Sequence, residues 1–176
     1  MKRAVLVTAI CGLALGSTAC APSVAEEPGA NQETDRRTAS TPRTAQFGQR
    51  YSWSDGVAVA FSRPSPLRSP LVGPGRRGVQ LTLTLSNGGS TPLRLPLTKL
   101  DGTFTERGTG KVADAEPLVD KAGKLGISPD APELPAGRSI DVRIGFAVGE
   151  QPGTLLVAAS PDQGVKYQDV TFAGEV

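Results

Sequence analysis

Few side chains in this sequence can do chemistry, and the missing ones already narrow the choice. The chain of 176 residues contains no histidine, so neither a Ser-His-Asp nor a Cys-His arrangement can be assembled from it. Zinc and copper sites built on imidazole or clustered thiolates fall to the same composition, with only Cys11 and Cys20 present. The one methionine is Met1, which removes thioether ligation of copper. Carboxylates, hydroxyls and guanidinium groups remain. Asp114, Glu116 and Asp120 fall in one irregular segment and offer the oxygen ligands that calcium takes. They lack the spacing of a calcium loop, and a solvated acidic loop is the plainer reading, so no metal ligand is assigned. Gly73-Pro74-Gly75 neither follows a strand nor opens a helix, as a phosphate loop would. No spacing sets a nucleophile beside its base. The chain is therefore read as a non-enzymatic binding module without a cofactor, with a small-ligand or calcium-binding sensor accessory as the alternative and a hydrolase using a carboxylate pair or a Ser-Lys couple the remotest reading.

The guanidinium groups gather in one place. Ser62 to Gly78 holds Pro64, Pro66, Pro70 and Pro74 together with Arg63, Arg68, Arg76 and Arg77, and Leu67, Leu71 and Val72 read as exposed. Long loops on rigid scaffolds often carry recognition, and arginine pairs bidentately with carboxylate or phosphate. The segment has two readings: a proline-stiffened crossover between sheets, or a partner-binding loop using those four arginines.

Cys20 is the remaining reactive side chain, and its setting is specific. Met1-Lys2-Arg3 is followed by the apolar run Ala4 to Leu15 and then by small residues up to Ala19, the pattern of a signal peptide over residues 1–19. The run is too short to cross a bilayer, which takes about 20 residues. Ser17-Thr18-Ala19-Cys20 resembles the lipobox of bacterial lipoproteins, with Ser17 where that family usually has an aliphatic residue. The resemblance implies cleavage between Ala19 and Cys20 and a lipid on the Cys20 thiol, anchoring the chain on the extracytoplasmic face of the cell membrane. Ser17-x-Ala19 and Ala19-x-Ala21 also suit ordinary signal peptidase, which would release a freely secreted protein. Cys11 lies within the signal peptide, so Cys20 would be left without a disulfide partner.

Processing changes the charge. The 19 basic and 17 acidic residues become 17 and 17 once Lys2 and Arg3 are removed, so no basic excess remains to attract nucleic acid. The expected partners are the membrane, through the N-terminal lipid, and an unidentified protein or envelope component.

The elements that position these residues follow from periodicity. Residues 20–46 hold three prolines, several charges and no aromatic residue, and read as a disordered linker after Cys20. As a flexible coil such a linker spans roughly 25–30 Å. A domain is expected over residues 47–176. Tyr51 and Trp53, then Val57, Val59 and Phe61, alternate on either side of Asp55-Gly56, which predicts a hairpin with a two-residue turn. Alternation with serine makes Tyr51 and Trp53 core residues first. Val79 to Ser86 alternates strictly and ends at Asn87-Gly88-Gly89. Leu93, Leu95 and Leu97 predict another strand, with Pro96 marking an edge or bulge, and Asp101-Gly102 predicts a second turn. The pattern is weak around Pro117 to Val119, and residues 111–126 have room for a turn of helix. Leu134-Pro135-Ala136-Gly137 leads into the longest alternation, Ile140 to Val148. Thr154 to Ala159 is a short apolar strand, and a phase slip within Val165–Phe172 predicts a bulge near Gln168-Asp169. The sum is all-β: an immunoglobulin-like antiparallel β-sandwich of about seven to eight strands after a disordered linker.

Three motifs carry a further resemblance. Tyr51-Ser52-Trp53-Ser54-Asp55-Gly56-Val57-Ala58-Val59, Asn87-Gly88-Gly89, and Leu134-Pro135-Ala136-Gly137 before Gly145-Phe146-Ala147-Val148 resemble a family of uncharacterised actinobacterial exported lipoproteins with a telokin-like domain. The mycobacterial secreted immunoprotective antigens look like relatives. The resemblance implies the sandwich and an extracytoplasmic site. It implies no activity.

Overall fold

The two longest alternating runs of the sequence pair with each other. The computed structural model describes residues 43–176, and in it β5 (Arg76–Asn87) lies antiparallel to β10 (Ser139–Gly149), from Ser139 opposite Ser86 to Gly149 opposite Arg76. Val79, Leu81, Leu83 and Leu85 are buried, while Gln80, Thr82, Thr84 and Ser86 on the other face stay half exposed. To one side, β3 (Val57–Phe61) pairs with β5 and β2 (Arg50–Ser52) with β3. Where β3 leaves off, β4 (Ser65–Leu67) takes over the edge of β5. To the other side, β10 pairs with β8 (Val112–Leu118), and β8 with β7 (Lys99–Glu106). The path continues through β11 (Gly153–Ser160) and β12 (Val170–Glu175) to β1 (Arg43–Gln46), which runs parallel to β12. A separate ribbon joins β6 (Leu93–Arg94) to β9 (Glu133–Leu134).

The protein is thus all-β, with twelve strands among the described residues in a nearly closed barrel-like sheet and its small ribbon, rather than seven or eight. Phe61, Phe104, Phe146 and Phe172 are fully buried at its centre among leucine and valine side chains. Two seams join the halves. In β8, residues Val112 to Ala115 pair with β7 and Glu116 to Leu118 with β10. As the strand crosses, burial passes from its core face, at Ala115, to its outer face, at Leu118, which is why the two buried residues are three apart. That crossing is why the sequence pattern is weak there, and strand occupies part of the segment that had room for helix. At the second seam, the amide of Phe47 donates to Ala173 O on β12 and that of Gly48 to Phe61 O on β3. Two consecutive residues therefore stitch both edges.

Several expectations are corrected. Arg43–Gln46 was assigned to the linker, yet it is a strand with Ala45 buried, so the ordered domain begins before residue 47. Its alternating run is too short and too polar to stand out. The Asp55-Gly56 hairpin has a three-residue loop: Trp53 N donates to Val57 O, Gly56 N donates to Trp53 O, and Gly56 takes φ +86°. Asp101-Gly102 is no turn. Gly102 lies inside β7 opposite Ala115, where a methyl group would sit 2.8 Å from Ala115 O and 2.9 Å from Phe146. The leucine run yields only β6 and then a single 3-10 turn, Leu95–Leu97, with Pro96 at its start. Instead of a bulge, the slip near Gln168 marks where β12 begins; Val165 is 89% exposed, and Tyr167 is buried from a loop.

The barrel has two ends. Register places Arg43 beside Val170, Val57 beside Asn87 and Ser139 beside Ser86 at one, the Asn87 end. At the other, the Arg76 end, Gly149 lies opposite Arg76 and Gly153 bonds Val176 through both backbone groups.

Candidate functional site

At the Arg76 end, the proline-rich crossover between β3 and β5 is folded back onto the sheet rather than looping free. Ser62 begins it, with its amide donating to Thr82 O and its Oγ accepting from Thr82 N at 2.9 Å. Pro64 to Ser69 then runs along the edge of β5 and encloses a groove of about 680 Å³. Its walls are Pro64, Pro66, Leu67 and Val72 on the crossover, Val79 on β5, and Val176 just beyond β12.

The crossover is anchored from beneath. Leu67 and Val72 pack against Leu118, Leu125 and Ala147, a small apolar cluster on the outer face of the sheet. This corrects the reading of Leu67 and Val72 as exposed; of the three, Leu71 is, at 45%. Space for the leucines comes from small residues, since a methyl group on Gly145 would sit 2.8 Å from Leu67 and 2.9 Å from Leu125. The sequence carries the signal: along β10 the outer face changes from Asp141 and Arg143 to Gly145 and Ala147, from charged to small.

The four arginines do different work. Arg76 donates to Glu116 at 2.7 Å and to Ala147 O; Arg77 donates from Nε to Gly149 O at 3.2 Å and from Nη2 to Gln151 O at 2.8 Å and Val176 O at 3.4 Å. Both are braces that tie β5 to the end of β10 and to the chain beyond β12. Arg68 stands exposed on the groove rim and has no hydrogen-bond or ion-pair partner among the described residues. Arg63 lies over Gly48, away from the groove lining. Glu175, the one carboxylate in the lining, is engaged by Thr154 Oγ1 at 3.0 Å and by Arg107. Those two bonds, the Thr154 one first, hold the Glu175 carboxyl below the usual carboxylate range.

The carboxylates singled out by sequence do not converge. Asp114 and Glu116 share the exposed face of β8, Glu116 facing Arg76, whereas the Asp120 carboxylate lies against Gly123 beyond the strand. Among the described residues, no three Asp, Glu, Cys or His side chains are grouped to hold a metal ion. The residues read as a signal peptide, the Ala19–Cys20 junction and most of the expected linker lie outside the described residues.

The Asn87 end carries a cluster that sequence reasoning missed. Asp55 Oδ2 accepts from Lys166 Nζ at 2.7 Å and Tyr167 OH at 2.8 Å, closing the hairpin loop onto the loop before β12. The lysine bond, more than the tyrosine one, holds the Asp55 carboxyl below its usual range, and Lys166 is pushed upward in turn. Burial raises the Tyr167 phenol. Trp53 stacks edge-on against Tyr167 at 5.4 Å and Tyr51 at 5.0 Å, half-buried at the barrel's end rather than between sheets. Asp55 and Lys166 are 111 positions apart, so no local pattern could announce them. Nearby, the side chain of Asn87 donates to Thr91 O and Leu134 O and accepts from Gly89 N, satisfying a residue that is 1% exposed. The three motifs read separately along the sequence thus meet in one knot.

No protein-family model and no curated protein matches the sequence. Among solved structures, the chain is similar to an uncharacterised β-sandwich protein from Clostridium difficile 630, at 8% identity over 76% of this chain and 94% of that one, with a TM-score of 0.47.

Proposed function

We propose that the protein is a non-enzymatic, membrane-tethered extracytoplasmic binding module, and that the groove under the proline-rich crossover is its binding surface. One observation carries the reading. The described chain begins with Arg43 at the Asn87 end, while the groove opens at the Arg76 end. A domain tethered through Cys20 and the following residues would present the groove on the side away from its attachment. Absence of histidine, together with the scattered carboxylates, supports binding over catalysis.

The finer fold belongs to the same proposal. Taken in chain order, β3, β5, β7, β8, β10, β11 and β12 correspond to immunoglobulin strands A to G. Orders β3-β5-β10-β8 and β7-β11-β12 then match the A-B-E-D and C-F-G sheets. This supports an immunoglobulin-like sandwich, as the resemblance to telokin-like actinobacterial lipoproteins implies, whose flanks are closed by β8 and by β1 with β2. That architecture hosts many functions, so the site has to carry the argument.

Two measurements test the reading. Intact-mass analysis of the N-terminus in the native host should find acylated Cys20; an unmodified start at Cys20 or Pro22 would mean free secretion. A photo-cross-linker at Ser65 on the groove should capture a discrete envelope component that the same probe at exposed Val165 does not. Identical capture from both positions removes the groove from the proposal.

A further inference from the structure

We infer that the groove binds a small amphipathic carboxylate, an aliphatic body seated on Pro66, Leu67, Val72 and Val79 with its anionic head at Arg68. This rests on the reading of the domain as a binding module and names the class of ligand.

The volume is the first argument. About 680 Å³ falls in the range of roughly 300–1,000 Å³ typical of small-molecule sites. The exposed surface of the walls is mostly apolar, from the proline, leucine and valine side chains, and rewards an apolar body.

Charge gives the second. Among side chains, the lining holds three arginines, Arg68, Arg76 and Arg77, against one carboxylate, Glu175, a balance of 3 − 1 = +2. Glu116 pairs with Arg76 and Val176 accepts from Arg77, so the uncommitted donors carry the argument rather than the net charge. Glu175 is already engaged by Thr154 and Arg107. Arg77 commits Nε and Nη2 to backbone carbonyls, leaving Nη1 without a partner among the described residues. Arg68 has none at all there. A guanidinium beside apolar surface attracts an anion and adds charge-assisted hydrogen bonds.

The third argument sets a small acid above a peptide strand. An extended peptide joins a sheet edge through a ladder of backbone donors and acceptors. The groove wall β4 is an edge that lacks a donor at Pro66, with Pro64 just before it. Proline on an edge blocks such addition. The groove is also preformed: Leu67 is seated against Gly78 and Gly145, and the Arg76 and Arg77 braces fix the floor strand, so little ordering cost accompanies occupancy.

The test uses the mature chain and three probes of equal chain length: decanoate, 1-decanol and decyltrimethylammonium, each below its micelle concentration. NMR titration should show decanoate shifting the methyl signals of Leu67, Val72 and Val79, with decanol about tenfold weaker and the cation weaker still. Arg68→Glu changes an exposed side chain with no partner, so the fold should persist. It should weaken decanoate about tenfold, leave decanol unchanged and reverse the ranking of the two ions. Equal binding of decanoate and decanol, or indifference of decanoate to Arg68→Glu, overturns the assignment of the head group. Should none of the probes shift the groove while the Ser65 cross-linker still captures an envelope component, the ligand class falls and the binding module stands. If both fail, both readings fall.

Discussion

At the Asn87 end the loops are held by backbone touching backbone and by a buried amide with every polar atom satisfied, whereas at the Arg76 end the strands part around a groove braced by arginine side chains. Both ends terminate the same strands. At the first, Gly88 and Gly56 come so close that a methyl group on Gly88 would overlap the Gly56 carbonyl. At the second, the tight neighbours of Gly145 are the ends of leucine side chains, which can rotate away. The Gly88–Gly56 approach is therefore rigid by sterics, whereas the Gly145 seat beneath the crossover keeps its shape through side chains that can adapt, even though Gly78 and Gly153 hold other parts of the Arg76 end by close backbone approach.

The sharpest way to break this contrast is a matched pair of substitutions. Gly88→Ala should lower unfolding free energy by about 3 kcal/mol in urea denaturation, because neither backbone can yield without moving a strand. A loss comparable to that of a surface substitution would show that the knot is not rigid. Gly145→Ala should cost only about 1 kcal/mol, with Leu67 and Leu125 shifting to accommodate it. Hydrogen exchange should then quicken in residues 64–72 and stay unchanged at the Asn87 end. Uniform acceleration would mean that the two ends are coupled.

Acid provides the smallest effect. The Asp55 carboxyl is held below its ordinary value of 3.8, chiefly by Lys166, so its contribution is present above that value and is lost as pH falls through the lower folded value. Trp53 is the single tryptophan and stacks on Tyr167, so its emission should report the opening of this clasp below about pH 4. Asp55→Asn should remove that step. An emission profile identical to the unsubstituted protein's would place the transition elsewhere, with Glu175, also lowered, as the next group to replace.

How much of this was readable in advance varied with the physics. The β5–β10 pair was legible because one face is buried and the other wet, which writes alternation directly into Val79–Ser86 and Ile140–Val148. β8 was not, since it pairs half with β7 and half with β10 and buries Ala115 on one face and Leu118 on the other. Asp-Gly was a turn at Asp55 and a mid-strand close approach at Gly102, a distinction made by the neighbours of Gly102 across the sheet. The crossover was recognised as a segment of interest from its prolines and arginines. Its folding back onto the sheet depended on Gly78, Gly145 and Ala147, remote in sequence from Leu67. The Asp55–Lys166–Tyr167 clasp depended on the barrel bringing its two loops together.

One consequence of the β1–β12 pairing is mechanical. The strands run parallel, from Arg43 beside Val170 at the Asn87 end to Gln46 beside Ala173, and β12 finishes beside the groove. Tension between an anchored N-terminal segment and a ligand held in the groove would slide β1 along β12 rather than peel it away. The backbone bonds of that pair would be strained together, side by side, and the stitches at Phe47 and Gly48 would share the pull. A domain fastened in this way yields to shear only when several bonds fail at once.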